Sequence, residues 1–236
     1  MVTAVGLLFE HRDAASGVSI VDRVWRTRSD AEGTMTSAAR TCCQLIVTRT
    51  RGQLRVDLRG PETRATVAPV PPDAEFLGVR LALGAVLRPH PAVAIVDGHV
   101  SFPVTGSGRV VIGGAEWEVP AYDNVEHFVL RLREAGLLVR ARLQGYPSQR
   151  TRQRQHRAIT GLSPTAVGQI DRANAAAMML RAGRDWRAVV DELGYFDQAH
   201  LGHALRRYIG QTARGLRAGG DASMSFLYKT GAEPGS

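Results

Sequence analysis

Apolar and polar residues alternate through much of the first half of the chain, which is the pattern of half-buried β-strands. Residues 44–49 and 53–59 both alternate, and Arg51-Gly52 between them is typical of a tight turn, so this stretch predicts a β-hairpin. Shorter runs of the same kind occur at residues 18–25, 76–83, 100–104, 109–112 and 116–119. Glycine and proline separate the runs, and short strands with such breaks favour a β-sandwich or a small barrel.

Near residue 123 the spacing of apolar residues changes to three and four, which predicts helices. Asp123 or Asn124 is a suitable N-cap for the first helix, and Gly136 ends it. Further helices are predicted at residues 165–182, 186–193 and 198–209. The chain therefore divides near residue 120 into a β-rich part and an all-helical part.

Positive charge is concentrated in the helical part. The formal net charge of the 236 residues is +8, and residues 140–220 contain 14 Arg, no Lys and five acidic residues. A local excess of arginine indicates a polyanionic partner, because each neutralised phosphate releases counterions. The alternative is an ordinary solvated basic face.

Residues 185–210 have the pattern of a helix-turn-helix. The first helix would bury Trp186, Val189, Val190 and Leu193, and residues 194–197 make a sharp turn. The second helix would pack through residues spaced by four, namely Leu201, Leu205 and Ile209. Its opposite face carries Gln198, His200, His203, Arg206 and Arg207. Such side chains suit base edges and phosphates, and the alternative is an ordinary surface helix.

A weaker second copy lies 49 residues upstream. Gln149 aligns with Gln198 and Arg157 with Arg206, so two such units on one chain would enter successive major grooves about 34 Å apart. Arg152 and His156 stand where the downstream copy has leucines, and polar groups at packing positions destabilise a core unless they find partners. We interpret the upstream copy as a phosphate-binding element formed by Gln149, Arg150, Arg152, Arg154 and Arg157.

The segment from Gly194 to Gly210 resembles the DNA-binding domain of AraC/XylS-type transcription regulators. The residues that carry the resemblance are Gly194-Tyr195-Phe196-Asp197-Gln198-Ala199-His200, Gly210-Gln211-Thr212-Ala213 and Gly161-Leu162-Ser163-Pro164. The resemblance covers about 70 to 95 residues and implies that Gln198, His200, His203 and Arg207 face DNA. Ala213 stands where that family usually has proline.

The resemblance also implies an organisation for the whole chain. We expect an α+β protein, with an N-terminal β-sandwich or cupin-like barrel followed by an all-α double helix-turn-helix domain. The expected divisions are a β-rich sensor or dimerisation domain at 1–120, a linker helix at 121–145, the DNA-binding domain at 146–220 and a tail at 221–236. The implied partners are double-stranded DNA, a small-molecule effector, a second copy of the chain and RNA polymerase.

Candidate effector contacts in the β-rich part are few. Trp117 and Phe102 would line an apolar pocket, and Arg80 or Arg49 would meet an anionic group; core packing or an exposed arginine is the alternative for each. An alternative function for the whole chain is a small-molecule-binding or enzymatic β-barrel with weak accessory DNA binding.

The chain has none of the sequence patterns of the enzymes and metal sites that we considered. No Gly-x-Ser-x-Gly, phosphate-loop or dinucleotide-binding motif is present, so we expect no enzyme activity and no cofactor. His200 and His203 lack a third ligand nearby, which argues against a metal. The adjacent Cys42 and Cys43 fit a reducing compartment, and no apolar run is long enough to cross a bilayer. We therefore expect a cytoplasmic bacterial protein without membrane contact.

Overall fold

Six strands between residues 7 and 102 form one antiparallel sheet. A computed structural model describes residues 7–13, 20–141 and 148–218. Its sheet has six strands in the order β1 (Leu7–Asp13), β2 (Val21–Ser29), β7 (Ala74–Leu81), β4 (Gln44–Thr50), β5 (Gln53–Arg59) and β9 (His99–Phe102). The hairpin β4–β5, with Thr50 opposite Gln53, confirms the turn predicted at Arg51-Gly52.

Three two-stranded ladders accompany this sheet. They are β3 (Gly33–Ser37) with β6 (Thr66–Val70), β8 (Ala85–Leu87) with β12 (Leu138–Arg140), and β10 (Arg109–Ile112) with β11 (Ala115–Glu118). A short 3-10 turn spans Ala92–Ile95. All three ladders are antiparallel, but only β10 and β11 are joined by a short turn, whereas β3–β6 and β8–β12 pair strands that are far apart along the chain.

The helical elements in the described residues begin and end mostly where their caps predict. They are α1 (Val125–Glu134), α2 (Gln149–Thr160), α3 (Pro164–Arg181), α4 (Trp186–Leu193), α5 (Gln198–Ala204), a π-helical segment (Leu205–Ile209) and α6 (Ala213–Arg217). Ser163 caps α3, because its hydroxyl accepts a hydrogen bond from the backbone N–H of Ala166. The predicted fourth helix is therefore present as α5 and the wider turns that follow it.

Two apolar cores hold these elements together. The first lies on one face of the sheet, where Val24 and Leu45 both stand opposite Val79, and the same core contains Phe128 and Val129 of α1. The second joins α3, α4, α5 and the π-helical segment, and it also takes in Ala38 from the loop after β3.

The expected β-sandwich or cupin-like barrel is wrong. The large sheet is open, since β1 and β9 form its edges, and the other ladders in the described residues remain two-stranded. A period of two shows which face of a strand is buried but does not name its partner strand. The barrel assumed in the alternative function is overturned by the same observation.

The expected double helix-turn-helix domain is also wrong. The helix that should support α2 would begin near Leu137, but Leu138–Arg140 instead forms β12, with Leu138 opposite Leu87 of β8. Leu138 is buried there, and β8 supplies the backbone partners that a helix would have to make internally. The remainder of that stretch, 142–147, lies outside the described residues, as does the tail expected at 221–236.

Candidate nucleic-acid interface

Helices α4 and α5 and the four-residue turn between them form the centre of the candidate interface. The Asp185 carboxylate caps α4 by accepting the backbone N–H of Arg187 at 2.9 Å. Gly194 ends α4 with φ +67°, a left-handed conformation that favours glycine. The Asp197 carboxylate then starts α5 by accepting the backbone N–H of His200 at 2.7 Å. This local geometry follows from the sequence of the segment itself.

One side of α5 and the π-helical segment is buried against the rest of the helical core. Leu201, Leu205 and Ile209 are at most 1% exposed. Tyr208 is buried beside them, and its hydroxyl donates a hydrogen bond to Gln169 Oε1 of α3 at 2.9 Å. The packing therefore fixes which side of this helix faces solvent.

The opposite side carries all five polar residues of the predicted reading face. The structure leaves each of them exposed: Gln198, His200, His203, Arg206 and Arg207. The backbone N–H of Phe196 donates to Nδ1 of His200 at 3.3 Å, so in the neutral ring Nε2 carries the proton. Nε2–H is then a donor that matches the acceptors of a guanine edge in the major groove.

A basic cleft of about 200 Å³ lies between α3 and this face. Its lining consists of Gln169, Arg172, His200, His203, Ala204, Arg207 and Tyr208. The Arg172 guanidinium lies 4.6 Å from the Tyr195 ring centroid and donates to the Gly194 carbonyl at 3.4 Å. Burial raises the pKa of Tyr195, and Arg172 opposes that shift. The interface therefore extends onto α3.

Sequence reasoning missed Gln169 and Arg172. Gln169 and Arg172 are next to the buried residues Ile170 and Ala173 on α3, for which the sequence predicted a helix but no contact with a ligand. The signal that could have found them is the helical spacing of the buried residues on α3. Residues next to such a buried stripe lie at the edge of the contact with the following helix.

Helix α2 presents a second basic surface. Gln149, Arg150, Arg152, Arg154 and Arg157 are all exposed. Within the described residues, no carboxylate forms an ion pair with any of these four arginines. Their positive charge is therefore not balanced locally, and it is available to a phosphate backbone.

His156, which stands on α2 where the downstream copy has a leucine, finds hydrogen-bond partners. The ring is half-buried, and its Nδ1 lies 3.1 Å from the Leu162 carbonyl and 3.2 Å from Thr160 Oγ1. A partly buried polar ring with hydrogen-bond partners avoids most of the cost of desolvation. α2 contacts α3, β8 and the 3-10 turn rather than a supporting helix of its own.

The four candidate effector residues do not come together. Trp117 and Phe102 are buried in the sheet core, and the Trp117 indole N–H donates to the Ile112 carbonyl at 3.0 Å. Arg49 and Arg80 line two different clefts, and Arg80 pairs with Asp22.

Two loops of the β-rich part, which we call the docking loops (residues 37–41 and 62–65), attach to the C-terminal end of the π-helical segment. The backbone N–H of Ala39 donates to the Tyr208 carbonyl at 2.7 Å, and that of Ala65 donates to the Arg207 carbonyl at 2.8 Å. Carbonyls in the last turn of a helix lack partners within the helix, so the docking loops provide its C-terminal caps.

Further contacts strengthen this attachment. Asn174 Nδ2 donates to the Ala39 carbonyl at 3.2 Å, and the Thr41 hydroxyl to the Asp171 carboxylate at 3.4 Å. Burial raises the pKa of Asp171, and the bond from Thr41 opposes that shift. The orientation of α5 and the π-helical segment therefore depends on both parts of the chain.

The described residues contain no group of three or more His, Cys, Asp or Glu side chains placed to hold a metal ion. They also contain no helix that is long and apolar enough to span a membrane.

Comparison with known proteins leaves the resemblance to AraC/XylS-type regulators untested. No protein-family model, no curated protein and no solved structure matches the chain.

Proposed function

We propose that the protein is a bacterial transcription regulator that binds specific sequences in double-stranded DNA through the exposed side of α5. The observation that carries this proposal is the row of polar side chains that includes Gln198, His203 and Arg207, held outward by the buried Leu201 and Leu205. The resemblance of residues 194–210 to AraC/XylS-type regulators supports it. On this proposal the protein acts in the cytoplasm.

The chemistry of the exposed side suits the major groove, which admits an α-helix. Gln198 and His200 lie in the first turn of α5, where a recognition helix contacts base edges. Glutamine pairs with adenine through two hydrogen bonds, and His200 Nε2–H suits guanine. Arg206 and Arg207 lie two turns further on, beside the phosphates that border the groove.

Helix α2 has a different role in this proposal. Its arginines give affinity for the sugar–phosphate backbone rather than choice of sequence, because a contact to phosphate carries no base information. Sequence reading is therefore assigned to α5 alone, and α2 sets the register and the dependence of binding on salt.

The first experiment is selection from a pool of random-sequence duplexes at increasing salt, followed by sequencing of the retained DNA. Enrichment of a motif is the expected result. Since one helix reads bases, the motif should occupy one short half-site for each protomer. If no duplex is retained at moderate salt, or if the retained pool stays random, the proposal is wrong.

The division of roles gives a sharper prediction. Gln198→Ala should lower the preference for the selected site over random DNA by about 5- to 150-fold, the range that corresponds to 1–3 kcal/mol for a bidentate base contact. Arg207→Ala should weaken binding to both kinds of DNA alike and reduce the slope of log affinity against log salt by about one. Fluorescence anisotropy over a salt series measures both quantities.

Matched controls come from the exposed hairpin β4–β5. Gln53→Ala and Arg51→Ala remove the same side chains from a part of the molecule that the proposal leaves away from DNA. Both variants should bind like the parent protein. Equal effects of Gln198→Ala on selected and random DNA would contradict base reading by α5.

A further inference from the structure

A cleft in the β-rich part lies where the apolar core of the sheet ends. It has a volume of about 760 Å³ and is lined by Arg26, Thr27, Arg28, Arg49, Glu75, Phe76, Leu77, Ala121, Tyr122 and Asp123. Ligand pockets for small molecules usually measure about 300 to 1,000 Å³, so the cleft has the size of a small-molecule site.

The register of the sheet sets the polar wall of this cleft. Glu75 of β7 stands opposite Arg28 of β2 on one side and opposite Arg49 of β4 on the other. Residues directly opposite each other project from the same face, so the two guanidiniums flank one carboxylate in a row across three strands. One step inward along the strands, Arg26 stands opposite Leu77, which is buried. Along β7 the lining of the cleft therefore changes from the buried Leu77 to the charged Glu75 within two residues.

The opposite wall is the segment before α1. The Tyr122 ring lies 4.7 Å from the Arg26 guanidinium carbon. Nη2 of Arg49 donates to the Pro120 carbonyl at 3.0 Å, which ties this segment to the sheet. The single bond to Pro120 leaves most of the five N–H donors of Arg49 for another partner. The wall thus combines an aromatic face with a positioned guanidinium.

We propose that this cleft binds a small organic anion with a flat apolar body, such as an aromatic carboxylate. In the row across the three strands the two guanidiniums of Arg28 and Arg49 outnumber the single carboxylate of Glu75, so this wall favours negative charge. Arg28 and Arg49 would hold the anionic group by charge-assisted hydrogen bonds, and the body would lie against Leu77 and Tyr122.

A regulatory consequence of this binding rests on the proposed function, whereas the binding itself does not. The segment that Arg49 ties down leads directly into α1, whose Phe128 and Val129 lie in the sheet core. As an effector, the anion would therefore act by ordering the start of α1 against the sheet.

The test uses the full chain without DNA, so its failure is separate from failure of DNA binding. Isothermal titration with 1-naphthoate is expected to show saturable binding at one site per chain. The uncharged isostere 1-naphthamide should bind at least tenfold more weakly, because it lacks the charge that the guanidiniums recognise. Equal binding of the two compounds, or no saturable binding of 1-naphthoate, would overturn the proposal.

Two substitutions and one control locate the site. Arg49→Gln should weaken 1-naphthoate binding at least tenfold. Arg28→Gln should weaken it several-fold, and since Arg28 is exposed this variant is expected to fold even if Arg49→Gln does not. Arg51→Gln removes a neighbouring arginine whose side chain is 88% exposed and outside the cleft, and it should leave binding unchanged. If Arg51→Gln weakens binding as much as Arg28→Gln, the anion binds to general surface charge and not in the cleft.

Discussion

Cys42 and Cys43 are adjacent in the chain but lie in different surroundings. Cys43 is 3% exposed, and burial raises the pKa of its thiol to about 12; Cys42 adds to that shift and Arg40 opposes it. Cys42 is half-buried and lines the cleft that also contains Asp171. The two thiols are therefore expected to differ in reactivity.

At pH 8 we expect the Cys43 thiol to react with a disulfide reagent about 1,000-fold more slowly than an ordinary exposed cysteine, because its thiolate fraction is about that much smaller. The rate should rise about tenfold per pH unit until the pKa is reached. The reaction rate of Cys43 is measured in a Cys42→Ser variant, from the absorbance of the thiol that the disulfide reagent releases. The folded pKa lies above the value of 9.0 for a solvated thiol, so the stability that this burial contributes is lost as pH rises from 9 towards 12.

Unfolding the Cys42→Ser variant in urea is the control, since it should restore ordinary reactivity at Cys43. A native variant that reacts as fast as the unfolded one would show that the thiol is not shielded by the core.

At the residue scale, the sequence predicts which side chains are exposed better than it predicts which side chains contact each other. The outward position of Gln198 and Arg207 follows from the spacing of Leu201 and Leu205, because helix geometry alone sets it. The contact of Arg172 with Tyr195 depends on how α3 meets the next helices, and no local pattern in the sequence specifies that approach.

At the scale of elements, local signals gave most of the helices but missed five strands, namely β1, β3, β6, β8 and β12. Asp185, Gly194 and Asp197 act within their own turns, so the bounds of α4 and the start of α5 could be predicted. β12 could not, because three residues form a strand only when a distant partner, β8, supplies the hydrogen bonds. The strands of the large sheet were mostly predicted, because the alternation of apolar and polar residues is a local signal. Its open topology was not predicted, because the order of strands depends on distant partners.

Two glycines test the packing of single elements. A Cβ at Gly78 of β7 would lie 2.0 Å from Cε2 of Trp25 on the neighbouring strand, so Gly78→Ala should destabilise the protein by about 1–3 kcal/mol through overpacking. Gly168 lies inside α3 with nothing within 4 Å of such a Cβ, so Gly168→Ala should stabilise by up to about 1 kcal/mol. Urea unfolding followed by circular dichroism gives both free energies. A Gly78→Ala variant that is no less stable than the parent protein would show that Gly78 does not need its close approach to Trp25.

At the scale of the whole molecule, a buried ion pair supports both docking loops. Arg40 Nη2 lies 2.5 Å from Glu62 Oε1, and both side chains are at most 10% exposed. The Ser37 hydroxyl donates to Glu62 Oε2 at 3.2 Å, and the backbone N–H of Glu62 donates to the Arg40 carbonyl at 2.9 Å. The pair therefore links the loop that carries Ala39 to the loop that carries Ala65.

Glu62→Gln should lower the free energy of unfolding by about 3–5 kcal/mol, because it leaves the Arg40 guanidinium buried without its counter-charge. The amide hydrogens of Ala39 and Ala65 should exchange faster in this variant, since both caps lose their support. Chemical denaturation and hydrogen exchange followed by NMR measure the two effects.

Asp73→Asn is the matched control, because it removes one partner of the Arg51–Asp73 pair on the surface and should change stability by less than about 1 kcal/mol. Unchanged exchange at Ala39 and Ala65 in a destabilised Glu62→Gln variant would show that the ion pair does not hold the docking loops.

The contact at Gly210 decides how freely the two parts of the chain can be exchanged with those of other proteins. Gly210 has φ +76°, and a Cβ there would lie 2.9 Å from Thr36 Cγ2 and 3.1 Å from Ala65 Cβ. A helical segment transplanted from another protein would therefore need glycine at this position and small residues facing it at 36 and 65. Recombination that joins unrelated halves would separate these matched residues, so a working chimera has to carry the docking loops together with the helix that they cap.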